Sequence, residues 1–411
     1  MPLLMPLPLA WFVTICLTVN SGDIAIATTY DYEAEGWLHH TIDRSSQGAD
    51  GVRLADLNGD GLLDLATGWE EGGIVRVYLN PGPDRAKAPW PAVTVGQVVT
   101  PEDAVIVDLD GDGFPDVVSS CEGNTRTVFV HWNPGDPAAL LDPDAWTTEP
   151  IPATVGKQQW MWCEPMQVDG RFGVDLVVAG KNDGASLGWL EAPENARDLS
   201  AWRWHPIRPV GWIMSIVARD LDLDGDLDLI CSDRRGDRRG VFWLERQGTA
   251  HSAEWVEHAI GGEDAEVMFL DVADLNGRED ILVATRDRGV LIFRQGDEAW
   301  RSYRIPLGDA IGTGKAVAVG ELNGDGWLHL VVSTENARGK HGLVQITWTG
   351  NKIGGPVRLR TISGVQEGTK FDLVRLIDLD GDGDLDVLTC EETDGLGVIW
   401  YENPGLNQQR R

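Results

Sequence analysis

The sequence predicts an all-β fold: a seven-bladed β-propeller of four-stranded antiparallel blades. Three observations carry that prediction. A nine-residue acidic loop recurs seven times, consecutive copies begin roughly 47 to 59 residues apart, and a tryptophan-headed strand recurs out of step with the loop. That period belongs to a propeller blade rather than to a helical repeat.

The loop is the first element. Four copies carry oxygen side chains at positions 1, 3, 5 and 9: Asp56, Asn58, Asp60 and Asp64; Asp108, Asp110, Asp112 and Asp116; Asp220, Asp222, Asp224 and Asp228; Asp378, Asp380, Asp382 and Asp386. Degenerate copies begin at Gln167, Asp274 and Glu321. Calcium takes six to eight oxygens, and carboxylates on a tight glycine-bearing turn supply such a set. About four structural calcium ions are therefore expected. An EF-hand is excluded, because Thr67 and Ser119 stand where its position-12 Glu would be. Arg171 and Arg278 occupy position 5 of two degenerate loops. Their guanidinium groups are expected to replace the ion there.

The strands follow from what flanks the loop. An apolar stretch such as Val52–Ala55 enters it, a β-rich run such as Asp64–Thr67 leaves it, and a third strand ends in Asn-Pro, as at Asn133-Pro134 and Asn403-Pro404. Alternation and Gly or Asn-Pro punctuation favour short antiparallel strands. A fourth strand pairs a Trp with Ile or Val five residues on, from Trp37/Ile42 to Trp300/Ile305, with Val357 replacing Trp in the seventh. The first of these precedes the first loop and none follows Pro404. The strand near Trp37 is thus expected to complete the last blade and close the ring, which limits exposed strand edges.

These loops and strands resemble the FG-GAP family of calcium-binding repeats, the fold of the integrin α-subunit head, over about residues 36 to 405. The resemblance implies the propeller and its calcium. It implies little about function, since similar propellers serve adhesion, architecture and carbohydrate-active enzymes.

Residues 1–27 read as an export signal, apolar through Val19 with Ala25-Ile-Ala27 as the cleavage site, leaving 28–411 as one propeller domain. A secreted or periplasmic location and no stable membrane insertion are expected, since the apolar run is short and broken by prolines. Formal charge is −31, from 65 acidic and 34 basic residues. Such a chain repels nucleic acid and anionic membranes. A monomer is expected. Cys121 and Cys163 fall near one end of adjacent repeats, where either a disulfide or two buried thiols is consistent with the spacing.

Six residues past the close of each loop, on the face opposite the calcium turns, stand Glu70, Glu122, Lys181, Arg234, Arg286, Glu335 and Glu392. All are charged, with bases in blades 3 to 5 and acids in the other four. A ring divided this way suits an anionic or polyhydroxylated ligand, with Arg holding carboxylates. Trp69, Trp160, Trp162 and Trp212 depart from the repeat positions and are expected on the same face, the last three as stacking surfaces for a sugar. No Ser/His/Asp set, nucleophile elbow or zinc pattern appears, so catalytic residues remain unassigned. The leading expectation is a module binding a carbohydrate or protein ligand. The alternatives are a sugar lyase or dehydratase using the Glu/Arg ring, and a scaffold acting through its rim.

Overall fold

The computed structural model describes residues 23–405, apart from 33–35, 250–251, 276, 288, 297–298 and 351–353. Seven antiparallel sheets follow one another along the chain, and each packs its innermost strand against those of its neighbours. The innermost strands are Ala49–Ala55, Pro101–Val107, Gln159–Met166, Ile213–Arg219, Val267–Asp274, Thr313–Gly320 and Phe371–Ile377. Within each blade the second strand, such as Asp64–Trp69, and the third, such as Ile74–Tyr78, follow outward in chain order. Ring closure occurs as the sequence predicts: Leu38–Asp43 pairs antiparallel with Gly397–Glu402 as the fourth strand of blade 7.

The chain start does more than close the ring. Ile24–Ala25 adds in parallel to the outer strand of blade 5, and Thr28–Asp31 adds likewise to blade 6. Ile26 is buried in the core beneath them. The expected leader lies outside the described residues up to residue 22. On either side of the boundary expected at residue 27, Ile24–Ala25 and Thr28–Asp31 are paired in strands.

Buried aliphatic and aromatic side chains fill the wedges between blades. At the outer strands a small motif repeats in blades 3, 4 and 7. A third-strand Trp packs against a fourth-strand His, stacked in blades 3 and 4 and tilted in blade 7, and the His hydrogen-bonds a Glu: Trp189, His205 and Glu191; Trp243, His258 and Glu245; Trp400, His40 and Glu402. Cys121, Cys163, Cys231 and Cys390 are all buried free thiols, so the Cys121–Cys163 disulfide is not formed.

His131 is fully buried in blade 2, hydrogen-bonded to Ser119 Oγ and Thr148 Oγ1 at 2.9 Å each. Burial pushes its pKa down to about 3. The unfolded chain takes up the proton near pH ~6.5 and the folded chain does not. This contribution is therefore complete above that pH and is lost as pH falls toward 3, by about 1.4 kcal/mol per unit. Urea midpoints measured between pH 6.5 and 4 are expected to fall, with a shallower slope in His131→Gln.

Candidate functional site

Two ends of the ring carry different chemistry. At one end the acidic loops are organised by their own carboxylates. In blade 1, Asp56 accepts the Gly59 and Gly61 amides at 2.8 and 2.9 Å, while Asp64 accepts Leu57 N at 2.9 Å and Asn80 N at 2.8 Å. Asp64 thereby clamps the loop to the Asn-Pro turn. Asp116, Asp228 and Asp386 make the equivalent pair of bonds. These position-9 residues are thus structural clamps as well as candidate ligands, and a carboxylate retains lone pairs beyond two such bonds.

The loops fit a hard divalent cation. Asp108, Asp110 and Asp116 bring oxygens within 4.8 Å of one another, as do Asp220, Asp222 and Asp224. Burial, reinforced by neighbouring acids, raises Asp64 to about 6 and Asp116 and Asp386 to about 7. A bound cation relieves that opposition to ionisation, and an all-oxygen set favours calcium over zinc. Basic side chains from adjacent turns already reach two of the loops: Lys87 Nζ is 2.9 Å from Asp380 and Arg197 Nε is 2.5 Å from Asp110. In blade 4 Leu223 stands at a glycine position with φ 65° and is 85% exposed, a strained substitution within an intact loop.

The degenerate loops replace the ion differently from the sequence expectation. In blade 3 the Gln167 amide donates to the carbonyls of Arg171, at 2.7 Å, and Gly173, while its oxygen accepts Asp169 N and Gly170 N. Gln167 thus supplies donors at the centre of the loop. Arg171 reaches only to 3.7 Å from Asp169 and Glu191. In blade 5 the closing Asp280 is held by Arg294 at 2.8 and 2.9 Å, a residue of the third strand rather than Arg278. In blade 6 His329 takes the clamp position and accepts Leu322 N at 3.3 Å.

At the opposite end the seven charged residues form the expected ring. A recurring bond fixes them. The backbone N–H of Glu70, Glu122, Arg234, Arg286 and Glu392 donates to a carbonyl of the segment entering the same blade, at Gly48, Thr100, Trp212, Glu266 and Lys370. Every innermost strand also shifts register near this end, a bulge that re-aims side chains into the channel. Six ring members line an axial cavity of about 380 Å³, and Glu392 stands behind Lys370.

The two charged arcs are joined at both seams. Lys181 bridges Glu122 and Glu102 (2.7 Å to the latter), and Arg286 pairs with Glu335 at 2.9 Å. Arg234 is held by Glu266 at 2.6 Å. The basic arc is therefore internally neutralised rather than free for a polyanion. Glu70 differs: among the described residues it is the ring member without a salt bridge, and burial together with Glu102 raises its pKa.

Trp212 is covered by Lys181, Arg234 and Arg235, each 4.4 to 4.7 Å from its centroid. Trp162 is 5% exposed with Arg53 over its ring at 4.4 Å. Trp160, 1% exposed, donates to Thr154 O, and Trp69 is buried against Tyr78. Trp160 and Trp69 are core residues, and the cations over Trp162 and Trp212 make both rings packing partners rather than open stacking platforms.

The sequence reading did not identify the residues of the cavity floor: Asp50, Glu102, Asp103, Met161, Met214 and Phe269. Their signal was a charged or large side chain in the opening residues of an innermost strand. Asp50 faces Asp372, with Lys315 Nζ 3.6 Å from the latter. Burial and Asp372 raise Asp50 well above the ordinary carboxylate range. Burial opposes Asp372's ionisation, but Lys315, the hydrogen bond from Asp50 and the Lys370 charge together outweigh it and hold that carboxyl low.

Fold and repeat together define a seven-bladed propeller with acidic-loop repeats. Residues 56–119 match the FG-GAP-like repeat family. The chain is thus a seven-bladed propeller in which one stretch matches the FG-GAP-like repeat. Integrin alpha-7 of Homo sapiens is 26% identical over 190 residues, 42% of this chain and 14% of that protein's length. Two crystal structures of BBS1N in complex with ARL6DN, soaked with mercury or with lead, share the fold at TM-scores of 0.52 and 0.50. Each is 13% identical, covering 90% of this chain and 97% or 98% of that one. No helix among the described residues is long and apolar enough to cross a membrane.

Proposed function

We propose that the chain is an exported propeller, stabilised by calcium in blades 1, 2, 4 and 7, that binds a small carbohydrate in the axial cavity at the charged end. The observation that carries the ligand is Glu70, a carboxylate without an ion pair on the wall of a cavity whose other charged side chains, Asp50 apart, are paired among the described residues. A wall of acceptors and donors in two paired arcs, neutral in sum, suits hydroxyl groups better than a strong anion. Glu70 and Glu102 would accept from ligand hydroxyls, and Arg235, which is half-exposed, would donate. Glycan-array screening of the calcium-loaded protein is expected to return binders, and Glu70→Ala to weaken them at least tenfold. Unchanged binding by that variant would sink the assignment.

A second reading is favoured by the raised Glu70 beside Lys370. Elimination from a uronic or aldonic sugar needs a base for the proton next to the carbonyl carbon and a cation for the developing enolate. Glu70 and Lys370 would serve. Mass spectrometry of each binder after incubation separates the readings: loss of water or an unsaturated fragment identifies the enzyme, and unchanged masses identify the binding module.

A further inference from the structure

The channel is not continuous. Trp162 and Leu373 line both the charged cavity and a second one of about 350 Å³ toward the acidic loops, and so form the waist between them. Across that waist runs an ion pair, with Arg53 lining the second cavity and its partner Asp103 lining the first.

The charges around the second cavity are unequally satisfied. Arg53 binds Asp103 at 3.2 and 3.3 Å, Glu164 at 2.9 Å and Cys163 O at 3.2 Å. Asp271 accepts Val272 N at 2.9 Å and Val319 N at 3.0 Å. Arg219, at the mouth, is 3.8 Å from Glu279. Arg375 is the exception. Among the described residues its guanidinium makes one hydrogen bond, to the carbonyl of its neighbour Val374 at 3.3 Å, and no carboxylate comes within 4.0 Å of it. Burial lowers its pKa and the Arg53 charge acts in the same direction, against the longer-range attraction of Asp271, Glu164 and Asp103. A guanidinium carries five donors, and at this half-buried position most of them have no acceptor among the described residues.

We propose that this second cavity is a ligand site, distinct from the charged funnel, that takes a compact monocarboxylate with an apolar body held by the Arg375 guanidinium. The fork of an arginine matches a carboxylate through two parallel bonds. Asp271 and Glu164 on the same wall disfavour a second negative charge, which excludes phosphate dianions and dicarboxylates. Leu270, Ala318, Leu376 and the Trp162 edge take up the body of the ligand.

Benzoate is a suitable probe, since it carries one charge and binds calcium weakly. Calorimetric titration into the calcium-loaded protein is expected to give one saturable site per chain, weakened at least tenfold by Arg375→Gln and less by Arg375→Lys. Ala318→Phe, which fills the cavity without touching the charge, is expected to abolish binding and decides the matter should Arg375→Gln not fold. No saturable binding up to 10 mM (on the order of the weakest affinity such a contact gives), or equal affinity in the Ala318→Phe protein, overturns the proposal.

Discussion

Chelating calcium from the protein is expected to lower its melting temperature by on the order of 10 °C or more. Each ion that binds only the folded state contributes about 2.7 kcal/mol when present at about 100 times its dissociation constant. Four loops have the oxygen set, and without an ion each retains a knot of clustered carboxylates, one of which also clamps the loop to the neighbouring turn. The blade-3 loop is an internal control. Because the Gln167 amide already bridges its carbonyls, Gln167→Ala should destabilise the protein equally with and without calcium. Differential scanning calorimetry with and without chelator reads both effects. A melting temperature indifferent to chelation would remove calcium from the account.

The second large effect is expected at the channel waist. Arg53→Met removes the cation bonded to buried Asp103 and partly buried Glu164, and leaves both carboxylates without an ion-pair partner in contact, Arg375 acting on them only from farther off. Breaking a buried pair from one side costs about 3–5 kcal/mol, whereas replacing the whole group with apolar side chains of similar volume is often neutral. Urea denaturation should therefore show a loss of about that size for Arg53→Met. Most of it should return in the Arg53→Met, Asp103→Leu, Glu164→Leu triple variant. A single-variant loss below about 1 kcal/mol would mean that water reaches these groups.

The architecture was legible because the repeat states it several times over. Loop spacing, the Asn-Pro turns and the offset Trp37 strand each point to seven blades, and the pairing of Leu38–Asp43 with Gly397–Glu402 follows from the offset alone. Charge position was legible too: a fixed distance beyond each loop placed Glu70, Lys181 and Arg286 around one axis. Pairing was not. Whether Lys181 faces solvent or sits between Glu102 and Glu122 depends on bulges in the innermost strands, which no local pattern announces. Trp160 and Trp162 were misread for the same reason. The segment looks like a loop, but it is the opening of an innermost strand with a bulge between the two rings. The parallel additions of Ile24–Ala25 and Thr28–Asp31 were hidden because they depend on outer edges far away in sequence.

The central claim is that a ligand occupies the charged funnel, and hydrogen–deuterium exchange on the calcium-loaded protein tests it most directly. With the best glycan from the array bound, the turns just past the second strands of blades 1, 2 and 3, beginning at Glu70, Glu122 and Asn182, should gain protection. The acidic loops at the other end should exchange as before. Protection confined to the acidic loops or to the outer strands would contradict the account and assign ligand binding to the opposite face or to the rim.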